Sequence, residues 1–143
     1  KDTFGKVEYN GRGDIETYND RKAAGFIGHY KTTAEAMFHY YVKPQATGNR
    51  TDVRWVSISD TRNRLMVAAK SPFQFSVTPF SDSVIDHATH INQLSRDGLL
   101  TVHLDANQSG VGTATCGPGV AEKYRVPVKP TSFEFVLYPA MAK

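Results

Sequence analysis

The sequence has 143 residues, 40% of them hydrophobic and 22% charged, which is the composition of one globular domain rather than a disordered chain. Seventeen Lys and Arg against fourteen Asp and Glu leave a net charge of +3. The cations alternate with acids, as in Asp20-Arg21-Lys22 and Arg50-Thr51-Asp52-Val53-Arg54, so no basic stripe for nucleic acid forms. No apolar run approaches the roughly 20 residues of a membrane span, and Lys1 to Gly13 has no leader-like apolar stretch. A start at Lys1 without methionine reads as a processed chain or a piece of something longer. The single cysteine, Cys116, excludes an internal disulfide and a Cys-rich zinc site.

In chain order, Thr33 to Tyr41 fits a helix or a strand, because its terminal aromatics suit either. Asp52 to Ser59 alternates Val53, Trp55 and Ser57 against Arg54, Val56 and Ile58, with Trp55 read as core. Arg64 to Lys70 is a short apolar run, and Ser71-Pro72 signals a turn after it. Phe73, Phe75 and Val77 alternate with Gln74, Ser76 and Thr78 as in a half-buried strand. Ser81 can cap one short helix that carries Asp82 in its first turn and Val84, Ile85, Ala88 and Ile91 on one face. Leu100, Val102 and Leu104 give the next strand a face, and Asp97-Gly98 precedes it as a turn. Near the end, Phe133, Phe135 and Leu137 alternate with Glu134, Val136 and Tyr138, after a turn at Pro127 to Pro130. These short strands, one short helix and glycine-rich turns predict an all-β fold, an antiparallel β-sandwich spanning residues 1–143 as a single domain.

Chemistry is harder to find. His87 and His90 stand three apart on the candidate helix, a metal-ligand spacing, but no third ligand is placed to join them, so no metal is expected. No carboxylate pair stands out for glycosidic cleavage; Asp14 and Glu16 read as a solvated loop. No Gly-x-Ser-x-Gly elbow occurs, and Gly110-Val111-Gly112 is too short for a phosphate loop. Arg12-Gly13-Asp14 spells an adhesion tripeptide, and Asn49-Arg50-Thr51 and Asn107-Gln108-Ser109 fit a glycosylation pattern; all three are short enough to arise by chance. The most unusual stretch is Gly110 to Gly119, with four glycines, one proline and Cys116 among them. Such a loop is shaped by its backbone, and loops on a rigid scaffold are where binding groups sit.

Longer stretches carry a resemblance. Tyr9 to Lys22 (Tyr-Asn-Gly-Arg-Gly-Asp-Ile-Glu-Thr-Tyr-Asn-Asp-Arg-Lys) resembles a Gly-Arg-Gly-Pro-x-Glu-x-Tyr-x-Asp-Arg motif, with Asp14 in place of proline. Tyr41 to Trp55 resembles a Tyr-Val-x-Pro-Gln-Glu-Asn-Gly-Asn-Arg-x-x-Val-Arg-Trp motif, with Ala46 and Thr47 in place of Glu-Asn. Phe73-Gln74-Phe75-Ser76, Leu104-Asp105, Gly110-Val111-Gly112 and Glu122-Lys123-Tyr124-Arg125 follow in the matching order. Together these resemble the C-terminal domain of the large bacterial β-galactosidases of glycoside hydrolase family 2.

The resemblance implies that the chain is the C-terminal portion of that domain, part of a galactose-mutarotase-like supersandwich beside a (β/α)₈ barrel. It implies extended chain and loop, rather than helix, for Thr33 to Tyr41. The two catalytic carboxylates and a magnesium ion are expected in the absent barrel, with no catalytic residue and no cofactor in this chain. The implied role is to lend a loop to the galactoside site and to support assembly. Thr115, Cys116 and Gly117 are the implied substrate contacts, standing where many members place a tryptophan that stacks on sugar. Glu16, Tyr18, Asp20 and Arg21 are expected to hold structure, with Arg21 or Arg12 pairing to a carboxylate. The implied partners are the rest of the polypeptide or a large subunit, the galactoside and, as an option, a second copy. The compartment stays open between bacterial cytoplasm and periplasm. One rival reading is a stand-alone carbohydrate-binding module with Tyr9, Tyr18, Tyr40 and Tyr124 as its sugar platform. Another is a purely structural interface domain.

Overall fold

The computed structural model describes residues 5–111 and 119–142. Six antiparallel strands form one sheet: β1 (Lys6–Arg12), β2 (Ile27–Thr33), β3 (Arg50–Ser59), β4 (Asn63–Thr78), β5 (Thr101–Asp105) and β6 (Phe135–Met141). Their order is β2-β1-β3-β4-β5, and β6 also pairs with β4. The antiparallel all-β reading holds. The described residues supply one sheet layer.

Register explains the core. Tyr30, Tyr9, Val56, Val67 and Leu137 form one cross-strand row, and Thr32, Val7, Ile58, Leu65 and Pro139 form the next. Side chains on neighbouring strands of one face touch, so each row packs as a unit. Val7, Tyr9, Val53, Val56, Ile58, Val67, Phe73, Phe75 and Val77 are buried together, with Ala34 and Met37 against them. Tyr9 stacks on Tyr30 at 5.4 Å and meets Phe75 edge-on at 5.2 Å. Leu100, Val102 and Leu104 pack on this core, as their alternation predicts.

Strands β1 and β2 carry no strand reading in the sequence analysis, although Val7 and Tyr9 alternate with Lys6, Glu8 and Asn10. Gly11 and Gly13 just beyond make that short segment look like loop.

Strand β3 does not keep its simple alternation. Register slips between Arg50 and Val53 and again between Val53 and Trp55, and Asp52 sits at φ +53° in the first slip. Val53, Val56 and Ile58 therefore share the buried face. Trp55 turns to the other face, half-buried, with its ring 5.2 Å from that of His29. It is not core. A bulge moves every later side chain to the opposite face, which a two-residue period cannot anticipate.

The turn expected at Ser71-Pro72 is absent. β4 runs through it for 16 residues. Its first half pairs with β6 up to Ala69, and its second half pairs with β5 from Gln74. Pro72 falls in the gap between those ladders and within the β3 slip, where no strand needs its missing N–H.

Two helical turns flank the sheet. α1 (Ala34–Met37) is one turn capped by the Thr33 hydroxyl, which accepts from Ala36 N–H at 3.1 Å. The segment Thr33 to Tyr41 is thus not wholly extended. α2 (Asp82–His87) starts at Ser81 as its side chain predicts, but stops at Ala88. Ile91 begins a separate 3₁₀ turn and stays exposed. Ile85 instead joins Phe38 and Phe80 in a second small cluster.

The last strand departs most from expectation. Phe135 and Leu137 do lie on the core-face rows, but all seven residues of β6 are exposed, Leu137 by 50% and Tyr138 by 51%. Phe135 keeps a ring neighbour, Phe133, at 5.5 Å.

Candidate functional site

The motif Glu16-Thr17-Tyr18-Asn19-Asp20-Arg21 makes a two-residue turn. Tyr18 N–H donates to Arg21 O at 3.2 Å, and Arg21 N–H donates back to Tyr18 O at 2.9 Å. Asn19 and Asp20 form its tip. Glu16 braces it from behind, accepting from Arg21 Nη1 (2.7 Å), Tyr41 Oη (2.6 Å), Gly48 N–H (3.0 Å) and Tyr18 Oη (3.3 Å). Of the two arginines offered as alternatives for a carboxylate pair, both form one: Arg21 meets Glu16, and Arg12 meets Asp52 at 2.5 Å, with Lys22 at 3.2 Å from the same carboxylate.

Burial alone would raise the Glu16 carboxyl pKa. The hydrogen bonds from Tyr41, Gly48 and Arg21 outweigh burial and hold it below its ordinary value of 4.5. Burial and the neighbouring Glu16 charge push the Tyr18 hydroxyl well up. A carboxylate with four donors and a lowered pKa is not a proton donor near neutrality. Glu16 lines a cleft of about 500 Å³ with Asp14, Arg21, His39, Tyr41 and Arg50, yet its acceptor capacity is spent on this chain's own groups.

Asp52 follows the same logic. Burial opposes its charge, but Arg12 and Lys22 hold its carboxyl below 3.8. For both acids the folded value is the lower one, so their stabilisation is complete above the unfolded value and lost as pH falls through the folded one. We expect stability to drop between about pH 5 and pH 3, and Glu16→Gln to flatten that drop. Urea midpoints measured across this range check it; parallel curves for wild type and Glu16→Gln would refute it.

The tip of the turn reaches the start of the glycine-rich loop. Asn19 Nδ2 donates to Asn107 Oδ1 at 2.7 Å and to Gln108 O at 2.6 Å. Gln74 Nε2 donates to Asn107 Oδ1 (3.0 Å) and Asn19 Oδ1 (3.1 Å). Asn49 Nδ2 donates to Gln74 Oε1 at 2.8 Å and to Thr17 O at 2.9 Å. Asp20 Oδ1 accepts from Val111 N–H at 3.1 Å. On the far side of the loop, Val126 N–H donates to Ser109 Oγ at 3.3 Å and ties the two flanks together. A chain of carboxamides thus runs from the buried sheet to the loop stem.

Thr115, Cys116 and Gly117 lie outside the described residues. What the structure describes is the chain on either side, up to Val111 and from Gly119. Asn19, Gln74 and Asn107 were missed as a set because they are 55 and 33 residues apart in sequence and carry no local signature.

Other sequence candidates disperse. His87 ends α2 and its Nδ1 lies 2.7 Å from Ser83 O, while His90 starts the 3₁₀ turn and pairs with the Thr89 hydroxyl at 2.9 Å. They do not share a helix face. Among the described residues, no three His, Cys, Asp or Glu side chains converge to hold a metal ion, magnesium included. No helix among them is long and apolar enough to cross a membrane. Asn49 is 2% exposed and its amide is bonded, so it accepts no glycan. Arg12 of the adhesion tripeptide is held by Asp52 and by Gly25 O. The tyrosine platform does not form: Tyr9 and Tyr18 are buried, Tyr40 rests edge-on against Phe38, and Lys123 lies over Tyr124 at 4.7 Å.

The arrangement is a sheet scaffold that braces the stem of the glycine-rich stretch at Gly110 and Val111. The chain belongs to the beta galactosidase small chain family, which it matches over residues 1–137. A β-galactosidase of Staphylococcus xylosus is 30% identical over 134 residues, covering 94% of this chain and 14% of that protein. One of Actinobacillus pleuropneumoniae is 31% identical over 120 residues, 84% of this chain and 12% of that protein. One of Kluyveromyces lactis is 33% identical over 140 residues, 95% of this chain and 13% of that protein. The chain therefore spans only 12–14% of the length of these curated relatives.

Proposed function

We propose that the chain is the C-terminal, non-catalytic portion of a glycoside hydrolase family 2 β-galactosidase, and that the full enzyme hydrolyses terminal β-galactosides. The loop from Gly110 to Gly119 borders the galactose site, with Thr115, Cys116 and Gly117 as contacts. The observation that carries this reading is the bracing of the loop stem. A loop that only connects strands has no need of Asn19, Asp20, Gln74 and Asn107 converging on it. The catalytic carboxylates and magnesium belong to the part of the enzyme this chain does not span.

In this reading the six-stranded sheet is one layer of a β-sandwich within a supersandwich. The exposed apolar ends of the core rows, Phe135 and Leu137, then meet the rest of the polypeptide, because exposed apolar patches of this kind mark interfaces. This is the assembly role.

The test is an aryl β-galactoside assay. The isolated chain is expected to show no turnover above buffer. In the full-length enzyme, replacing Thr115, Cys116 and Gly117 together by alanine is expected to raise KM several-fold, with kcat changed by less than about twofold, as for a lost ground-state contact. Turnover by the isolated chain, or an unchanged KM, would overturn the reading.

A further inference from the structure

We propose that Asp20 is a positioning residue that fixes where the glycine-rich loop leaves the sheet, and that Gly110 is glycine because Asp20 occupies the space of its side chain. The inference rests on the reading of that loop as part of the galactoside site.

Two independent contacts join Asp20 to the loop stem. Its Oδ1 accepts from Val111 N–H at 3.1 Å, across 91 residues of sequence. A Cβ built on buried Gly110 would fall well inside van der Waals contact with the Asp20 carboxylate. One contact is attractive and the other is steric, and they act on consecutive residues. Sliding the stem in one direction breaks the hydrogen bond; sliding it in the other drives backbone into the carboxylate. Asp20 is thus a stop as well as a tether.

The tether is itself fixed. Asp20 stands at the tip of a turn closed by reciprocal backbone bonds between Tyr18 and Arg21. Glu16 holds Arg21 from behind, and Asn19 beside it grips Asn107 and Gln108. The buried Asn49–Gln74 pair anchors that grip in the sheet. A turn held this firmly places the Asp20 carboxylate against Gly110 and Val111, and glycine at 110 leaves it the room. Val111 immediately precedes the segment that carries Thr115, Cys116 and Gly117.

The test is a double-mutant cycle in the full-length β-galactosidase, with an aryl β-galactoside as substrate. Asp20→Ala and Gly110→Ala are each expected to raise KM about tenfold, the effect of one lost charge-assisted hydrogen bond, while kcat changes by less than about twofold. The double variant is expected to match Asp20→Ala alone, because the added methyl group at position 110 fits the space the carboxylate vacates. Asp20→Asn keeps the shape and an acceptor oxygen, so it is expected to stay within about threefold of wild type. The second readout does not use activity: the alkylation rate of the Cys116 thiol, followed on its peptide by mass spectrometry. It is expected to change several-fold in Asp20→Ala and Gly110→Ala, with hydrogen exchange of β3 unchanged.

Multiplicative KM effects in the double variant, or Cys116 alkylation unaffected by Asp20→Ala, would overturn the positioning role. Altered alkylation with an unchanged KM in every variant would uphold that role and overturn the placing of the loop at the sugar site.

Discussion

Replacing Arg50 with methionine is expected to cost about 3 kcal/mol or more of stability, because several buried acceptors lose their donor together. Arg50 is 2% exposed, and among the described residues no carboxylate pairs with it. Its guanidinium instead donates to the Tyr9 hydroxyl and Asp14 O at 2.9 Å each, to Gly48 O at 2.9 Å and to Asn49 O at 3.3 Å. Burying a charge is costly unless hydrogen bonds satisfy it, and here three backbone carbonyls and one phenol do so. Tyr9 is bound into the same arrangement. Its hydroxyl donates to Gly13 O, and burial pushes its pKa up against the opposing pull of Arg50. The group thus ties β1, the segment carrying Asp14 and the start of β3 to one side chain.

Arg50→Lys is expected to recover less than half of the loss. An ammonium offers three N–H groups from one atom and cannot span the Tyr9 and Asp14 acceptors as a planar fork does. Chemical unfolding of the full-length protein, followed by hydrogen exchange of the β1 and β3 amides, measures both. A loss below about 1 kcal/mol for Arg50→Met would show that water replaces the guanidinium at no great cost, and would remove Arg50 as the central brace.

The second large effect is at Gly48. Its φ is +80°, a left-handed value that side chains resist, and an added Cβ would overlap the backbone carbonyl of Met37 at the end of α1. Neither strain can be relieved by rotating a side chain, since the obstructing atoms are main chain. Gly48→Ala is expected to destabilise by about 3 kcal/mol, of which backbone strain supplies about 1–2. It is also expected to displace the Gly48 N–H that holds Glu16 at 3.0 Å. The Glu16 carboxyl would then move up toward its ordinary value, and the acid sensitivity described above would shrink with it. Full stability in Gly48→Ala would mean that α1 can shift away from this turn, and that the Met37 contact is slack.

Glu16, Tyr18 and Arg21, expected to hold structure, are bonded within the fold. Their side chains bond to one another and to Gly48 and Tyr41. The group that reaches outward is the pair between them, Asn19 and Asp20, and it reaches toward the loop.

Composition, alternation and motif order were enough to establish the antiparallel β class, the strands around Phe75, Val102 and Leu137, the Ser81 cap and the kinship with β-galactosidases. These rest on local rules: period-two burial, one hydroxyl at a helix start, and side-chain order along the chain. Only the tertiary structure decided the face of Trp55, the passage of β4 through Pro72, the exposure of β6, and the joining of Asn19, Asp20, Gln74 and Asn107. Each depends on what lies across the sheet or at a distant point of the chain. A bulge at Asp52 reverses a face, two different partner strands let β4 bridge a proline, and a loop stem is gripped from 91 residues away. Residues that meet only after folding leave no periodic trace before it.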